Sequence, residues 1–447
     1  MKVLSVTSEC APLVKTGGLA DVAGALPAAL SEHGVEMRTL LPGYPAVMDA
    51  LEGAEAHFEV EGIGQVLGGR AAGLDLYVLD APRFFSRPSL YVEADGEGYW
   101  DNPQRFASLC RAAAGICSGA AGWTPEVAHC HDWQAGLLPV MTDTPCVLTI
   151  HNVAFQGNAP AERRYEMGVP DWAWHPGGAE FWGGVSTLKA GIVYAKAVTT
   201  VSPTYARELE SPEFGLGLEG VLADKGVIGI LNGIDEAEWA PPFGRPEDKA
   251  PHRAKLLEEL RIEAPGPLAC VVSRLTYQKG LDVLLSQLGD FVEMGGSLAL
   301  LGSGEHGLEQ GFAAARGPRV FAKLGYDEGL ARRLIAGSDA ILVPSRFEPC
   351  GLTQLYGLHH GTVPVVARTG GLADTVIDAN EAGLRAGAAT GIMVTPGRGD
   401  ALGRGLRLLC ELFGGPRWLP MMEAGMRHPV GWGPSARRYA DLYEEIS

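Results

Sequence analysis

Short apolar runs rich in β-branched residues recur along the chain, each followed by a loop and then by apolar positions at helical spacing. The first run covers residues 2–7, and a Gly17-Gly18 loop leads from it into a helical pattern over 19–30. Strand, glycine loop and helix in that order open a doubly wound sheet. Further strands are predicted at 75–79, 127–130, 146–150, 197–201 and 227–231. Such alternation favours a parallel sheet covered on both faces. After Asn232-Gly233-Ile234-Asp235 comes a proline-rich break, Trp239-Ala-Pro-Pro-Phe-Gly-Arg-Pro, and then a charged helical stretch over 255–260. A domain boundary is expected at this break. A second series of strands follows at 268–273, 297–301, 319–323, 340–343 and 363–367, closing in helices. The second half repeats the α/β architecture of the first.

Composition narrows the function. A chain of 447 residues is long enough for two cores. Its net charge of −17 argues against nucleic-acid or anionic-membrane partners, because the long-range field repels polyphosphate surfaces. An anionic substrate must then meet a local basic cluster. The N-terminal apolar stretch is too short for a signal peptide and no later run is long enough to span a bilayer, so a soluble, cytoplasmic protein is expected. Eight cysteines lie scattered without a C-x-x-C pair, which suggests neither a zinc site nor a redox motif.

One string occurs twice. Lys15-Thr-Gly-Gly-Leu-Ala-Asp in the first half returns as Arg368-Thr-Gly-Gly-Leu-Ala-Asp in the second. Each is a cation followed by a glycine turn that opens a helix, where exposed amides and the helix dipole favour an anion. Two copies point to a shared anionic ligand. Arg274 and Lys279 follow the strand at 268–273 and are placed to reach a phosphate, with Lys15 supplying a third cation. Such cations can stabilise negative charge that grows on a leaving oxygen. Glu348 stands between an apolar strand and a helix, where a carboxylate can accept two hydrogen bonds from a ligand. His131-Asp132 and His151 follow the strands at 127–130 and 146–150, so both lie at carboxyl strand ends. No Asp-x-Asp pair is present to hold a divalent cation against a diphosphate, which suits chemistry without a metal or other cofactor. Several aromatic residues, Trp123, Trp133, Trp172, Trp174, Trp182 and Tyr99, fall in the first half, most of them expected in the core.

Seven segments, residues 8–22, 129–136, 149–157, 201–206, 231–235, 272–280 and 344–357, resemble the motifs of the bacterial glycogen and plant starch synthases in the family's order. The resemblance implies a GT-B fold of two Rossmann-like domains. Residues 1–240 would form the acceptor-side domain, 241–430 the nucleotide-side domain, and 431–447 a final helix whose Trp432, Tyr439 and Tyr443 pack back on the first domain. It further implies transfer of glucose from ADP-glucose, with retention, to the non-reducing end of glycogen or another α-1,4-glucan. Glu348, Arg274, Lys279 and His151 would be catalytic. Lys15, Gly17, Gly18, Asp21, Asn232, Tyr326, Cys350, Gly351, Leu352 and Thr353 would bind ADP-glucose, with Tyr326 against the adenine and the helix opening at Cys350 facing the phosphates. Asp132, Trp133 and Asn152 would face the glucan.

Two positions depart from common patterns. Many retaining GT-B enzymes carry a second glutamate eight residues after the first, where this chain has Tyr356, as the synthases do. Trp182 stands where a tyrosine is common. A transferase using another sugar nucleotide is the nearest rival, and an inactive glycogen-binding protein the rival from a different class. The second predicts loss of Glu348, Arg274 or Lys279, and all three are present. Replacement of Arg274 or Lys279 by alanine is expected to lower kcat while leaving melting nearly unchanged.

Overall fold

A computed structural model describes every residue from Met1 to Ser447. Two units divide the chain, one of residues 1–232 with 432–447 and one of residues 233–431. The proline-rich stretch after Trp239 thus belongs to the second unit, some way inside it.

The first unit is built on a sheet whose strands are β1 (Lys2–Val6), β2 (Glu36–Pro42), β3 (Glu52–Val60), β4 (Gly64–Ala71), β5 (Leu74–Asp80), β6 (Val127–His131) and β7 (Cys146–Ile150). A small separate sheet holds β8 (Asn158–Pro160), β9 (Glu180–Phe181) and β10 (Gly184–Ser186), and the main sheet resumes with β11 (Ala197–Thr200) and β12 (Val227–Gly229). The main sheet runs β12-β11-β7-β6-β1-β2-β5-β4-β3. Its pairings are parallel from β12 to β5, whereas β4 pairs antiparallel with both β5 and β3. The antiparallel edge corrects the expectation of an all-parallel sheet. Its outermost strand, β3, is solvent-exposed along most of its length and has no continuous apolar run to mark it. Chain order reverses between β1 and β6, which makes their carboxyl ends the switch point where ligands bind in open α/β sheets.

Helix Gly18–Ser31 and the final helix Gly433–Ile446 cover one face of this sheet. Val22, Leu26 and Leu30 pack with Trp432, Ala436, Tyr439 and Tyr443 over Val3, Val127 and Val147.

In the second unit β13 (Leu268–Val272), β14 (Ser297–Gly302), β15 (Val320–Leu324), β16 (Ala340–Val343), β17 (Val363–Ala367) and β18 (Ile392–Val394) form one parallel sheet ordered β15-β14-β13-β16-β17-β18. Counted within the unit, that order is 3-2-1-4-5-6, the dinucleotide-binding arrangement, and its switch point lies between β13 and β16. Strands β14 and β17 are buried at every position, as a parallel sheet clad on both faces requires. No helix of the chain is long and apolar enough to cross a membrane.

Candidate functional site

Each switch point carries a cluster of the residues singled out by sequence. In the first unit, the chain leaving β1 reaches Glu9, which is buried. Its carboxylate accepts hydrogen bonds from Thr16 N (2.5 Å), Thr16 Oγ1 (2.6 Å), Gly17 N (3.3 Å) and the Tyr91 hydroxyl (2.6 Å). Glu9 therefore fixes the turn that carries Lys15, Gly17 and Gly18. Lys15 Nζ lies 2.6 Å from Asp21 Oδ1 at the surface. An exposed pair of this kind contributes little to stability, so the ammonium can change partner at small cost.

On the neighbouring strand end, Asp132 adopts a left-handed conformation with φ 54°. That turns its Oδ1 toward the backbone after β7, where it accepts from His151 N at 2.6 Å and Asn152 N at 3.4 Å. Burial raises the Asp132 carboxyl to about 7 despite those two donors, and the negative charge of Glu9 adds to the rise. The ring of His151 is held as well, with its Nε2 3.0 Å from His131 Nδ1. Burial pushes His131 down to about 3 and holds His151 well below the ordinary imidazole value, so both rings are neutral near pH 7. Asn152 Oδ1 accepts from Ala154 N. Trp133 stands edge-on to Phe106 at 5.0 Å and its carbonyl accepts from Thr187 Oγ1, so much of the indole is packed. Asn232 is buried with no hydrogen-bond partner for its Oδ1. An orphaned buried amide oxygen is costly unless a ligand satisfies it.

At the switch point of the second unit, Arg274 follows β13 exposed and without an ion pair, while Lys279 Nζ lies 2.5 Å from Glu348 Oε2. Side-chain exposures in that pair are only 18% and 9%. Ser345 Oγ donates to the same oxygen at 2.9 Å. Arg346 joins the two loops, with Nη1 and Nη2 each 2.7 Å from an Asp282 oxygen, Nη1 donating to Tyr277 O, and its guanidinium 3.7 Å from the centre of the Tyr277 ring. The Arg346 side chain holds the Asp282 carboxyl below the usual carboxylate range.

Gly370 and Gly371 close this site from behind. Gly371 N donates to Glu348 O and Pro349 O, both at 3.1 Å. Gln354 Nε2 donates to Cys350 O (3.1 Å), Gly351 O (2.8 Å) and Thr375 Oγ1 (3.1 Å), which locks the loop through Cys350, Gly351, Leu352 and Thr353. Helix Thr353–His359 begins there. Tyr326 is 83% exposed, a flat face open to solvent. Tyr356 stacks on Trp239 with ring centres 3.7 Å apart, which makes it a packing residue.

Within the units, the structure thus joins Lys279 to Glu348, Asp132 to His151 and Asn152, and Lys15 to Asp21. Arg274 stays exposed without an ion pair, Asn232 Oδ1 is unsatisfied, and Trp133 packs on Phe106. Sequence reasoning passed over Glu9, Ser345, Arg346 and the bracing role of Gly370. Glu9 and Arg346 lie inside quoted motifs, which was the available signal. No cluster of His, Cys, Asp or Glu is arranged to hold a metal ion.

Comparison with known proteins bears on the family and the fold. Residues 2–224 match the starch synthase catalytic domain family and residues 252–412 match glycosyl transferases group 1. A glycogen synthase of Paracoccus denitrificans is 56% identical, the match covering 100% of this chain and 99% of that protein. One of Roseobacter denitrificans is 50% identical over the same shares. Among solved structures, the catalytic domain of starch synthase IV from Arabidopsis thaliana, bound to ADP and acarbose, superposes with a TM-score of 0.87 at 29% identity, covering 99% of each chain. A sucrose-phosphate synthase of Thermosynechococcus elongatus shares the fold at TM-score 0.64 and 16% identity.

Proposed function

This chain belongs to the glycogen synthase family and has the GT-B fold, and from that premise we propose that it transfers glucose from ADP-glucose to the non-reducing end of an α-1,4-glucan with retention of configuration. The observation that carries the proposal is the Lys279–Glu348 pair, nearly buried at the β13/β16 switch point with the unpaired Arg274 on the adjoining strand end. Glu348 would bond hydroxyls of the donor glucose. Arg274 and Lys279 would stabilise the ADP leaving group more strongly as its charge grows. Lys15 and the turn at Gly17 and Gly18 would meet the phosphates, and Tyr326 would offer its open face to the adenine.

His151, fixed at backbone and ring, would face the transferred glucose with Asn232, whose orphaned oxygen a sugar hydroxyl would satisfy. Asp132, Trp133 and Asn152 belong to the glucan side. A retaining hydrolase places two carboxyl groups close together, one as nucleophile. Here Glu348 is tied to Lys279 and Ser345, and Asp282 to Arg346, so neither carboxylate is left as a free nucleophile, which favours a front-face reaction. In it the C1–phosphate bond breaks, the acceptor oxygen bonds C1 from the same side, and the acceptor proton passes to the departing phosphate oxygen. A sugar nucleotide and a storage glucan as substrates place the reaction in the cytoplasm.

The deciding assay is transfer of labelled glucose to glycogen, with ADP-glucose and UDP-glucose in parallel and with excess EDTA. Efficient transfer from ADP-glucose, undiminished by EDTA, is expected. Preference for UDP-glucose, or loss in EDTA with rescue by magnesium, overturns the donor or the metal-free reading.

A further inference from the structure

His151 has one ring nitrogen turned inward and one with no partner in the protein. The inward Nε2 meets His131 Nδ1 at 3.0 Å, and His131 Nε2 in turn meets the Ser5 hydroxyl at 3.2 Å. A neutral imidazole carries one N–H and one lone pair, so only two proton arrangements satisfy both contacts. In one, Ser5 donates to His131 Nε2, His131 Nδ1–H donates to His151 Nε2, and His151 carries its proton on the outward Nδ1. In the other, every donation reverses and the Ser5 proton must find a different acceptor.

The structure supplies no such acceptor. Ser5 is 1% exposed and His131 is its only hydrogen-bond partner. Stranding a buried hydroxyl proton disfavours the reversed arrangement by about tenfold or more. His129 does not disturb this logic. Its two nitrogens are taken by the Tyr443 hydroxyl at 2.7 Å and Thr149 Oγ1 at 2.6 Å, so it lies tilted against His131, ring centres 4.2 Å apart, without sharing a proton with it. Burial keeps both relay rings neutral, as the two-arrangement count requires.

Resting on the assignment of His151 to the transferred glucose, we propose that Ser5 and His131 are positioning residues that fix His151 as its Nδ1–H tautomer, so that the ring presents a hydrogen-bond donor to a hydroxyl oxygen of the sugar. Two supports converge on one residue: Asp132 sets the backbone of His151 and the Ser5–His131 relay sets its ring and proton. A donor at this point selects an acceptor oxygen and disfavours a group that must itself donate.

The tautomer is read directly by NMR of the full chain labelled with ¹⁵N-histidine, the His151 signals being assigned by their loss in His151→Gln. The expected pattern is a protonated Nδ1 and an unprotonated Nε2 on His151; a protonated Nε2 overturns the proposal whatever the enzyme's activity. The kinetic arm compares His131→Leu, which cannot donate, with His131→Asn, whose side-chain amide offers an N–H near the position of Nδ1. His131→Leu should lower kcat/KM for glucose transfer about tenfold or more, and His131→Asn should recover most of that loss. Equal losses in the two variants, with both folded, would overturn the relay. Normal transfer by His151→Gln would instead reject the placing of His151 at the glucose, leaving the tautomer itself to be decided by the NMR result.

Discussion

The string Thr-Gly-Gly-Leu-Ala-Asp stands at residues 16–21 and again at 369–374, and the two copies do different work. In the first, Gly17 is extended at φ −154°, and a Cβ placed on it would meet nothing within 4 Å. Its amide and that of Thr16 turn to the Glu9 carboxylate, and a helix of 14 residues follows. In the second, Gly370 sits at φ 42°, and a Cβ there would fall 1.9 Å from Glu348 O. The Gly371 amide is engaged by the carbonyls of Glu348 and Pro349, and the helix runs only 6 residues. An open turn beside a lysine and a brace behind a carboxylate share one sequence. The echo at first suggests one anionic ligand seen twice, whereas the contacts separate the two copies: the environment each turn meets decides what its amides do.

Breaking what the second turn supports should have the largest effect. Glu348→Ala is expected to lower glucose transfer by about 10³; activity within a few-fold of the parent would remove Glu348 from the donor site. Arg274→Ala and Lys279→Ala should each cost about 10²–10³ in kcat, measured in single turnovers. Their melting behaviour should differ. Arg274 is exposed and unpaired, so its removal should leave melting unchanged, but Lys279→Ala strands a nearly buried Glu348 carboxylate and should lower it clearly. The expectation of unchanged melting for both cations therefore survives for Arg274 alone. Equal melting of the two variants would show that the Lys279–Glu348 pair is not formed in solution.

Alanine at the two turns tests the contrast itself. Gly370→Ala must push against the Glu348 backbone in a left-handed conformation and should cost about 2–4 kcal/mol, read from denaturant midpoints. A subtler effect belongs to His131. Its folded pKa of about 3 lies below the unfolded value of about 6.5, so the unfolded chain binds the extra proton between those limits. Stability from this group is complete above about pH 6.5 and falls as the pH drops toward 3. His131→Asn should consequently lose roughly 2 kcal/mol less than the parent between pH 8 and pH 5. An equal or larger loss in the variant would show that His131 titrates normally. Gly17→Ala, with open space around the new methyl, should change stability by no more than about 0.5 kcal/mol.

Sequence alone carried the alternation of strand and helix, the two-part α/β architecture, the motifs and the family they resemble. It did so because periodicity and short motifs report on residues a few positions apart, and Arg274, Asp132, His151, Asn152 and Asn232 each follow a strand within three residues. Strands β2, β3 and β4, the small sheet of β8 to β10, and β18 escaped it, β3 because an exposed edge strand needs no apolar run. Only the tertiary structure decided which groups meet. Lys279 reaches Glu348 across 69 positions, and Ser5 reaches His131 across 126. Those meetings follow from strand order, β13 beside β16 and β1 beside β6. No local pattern encodes strand order; it is settled by how whole layers bury their apolar faces against one another.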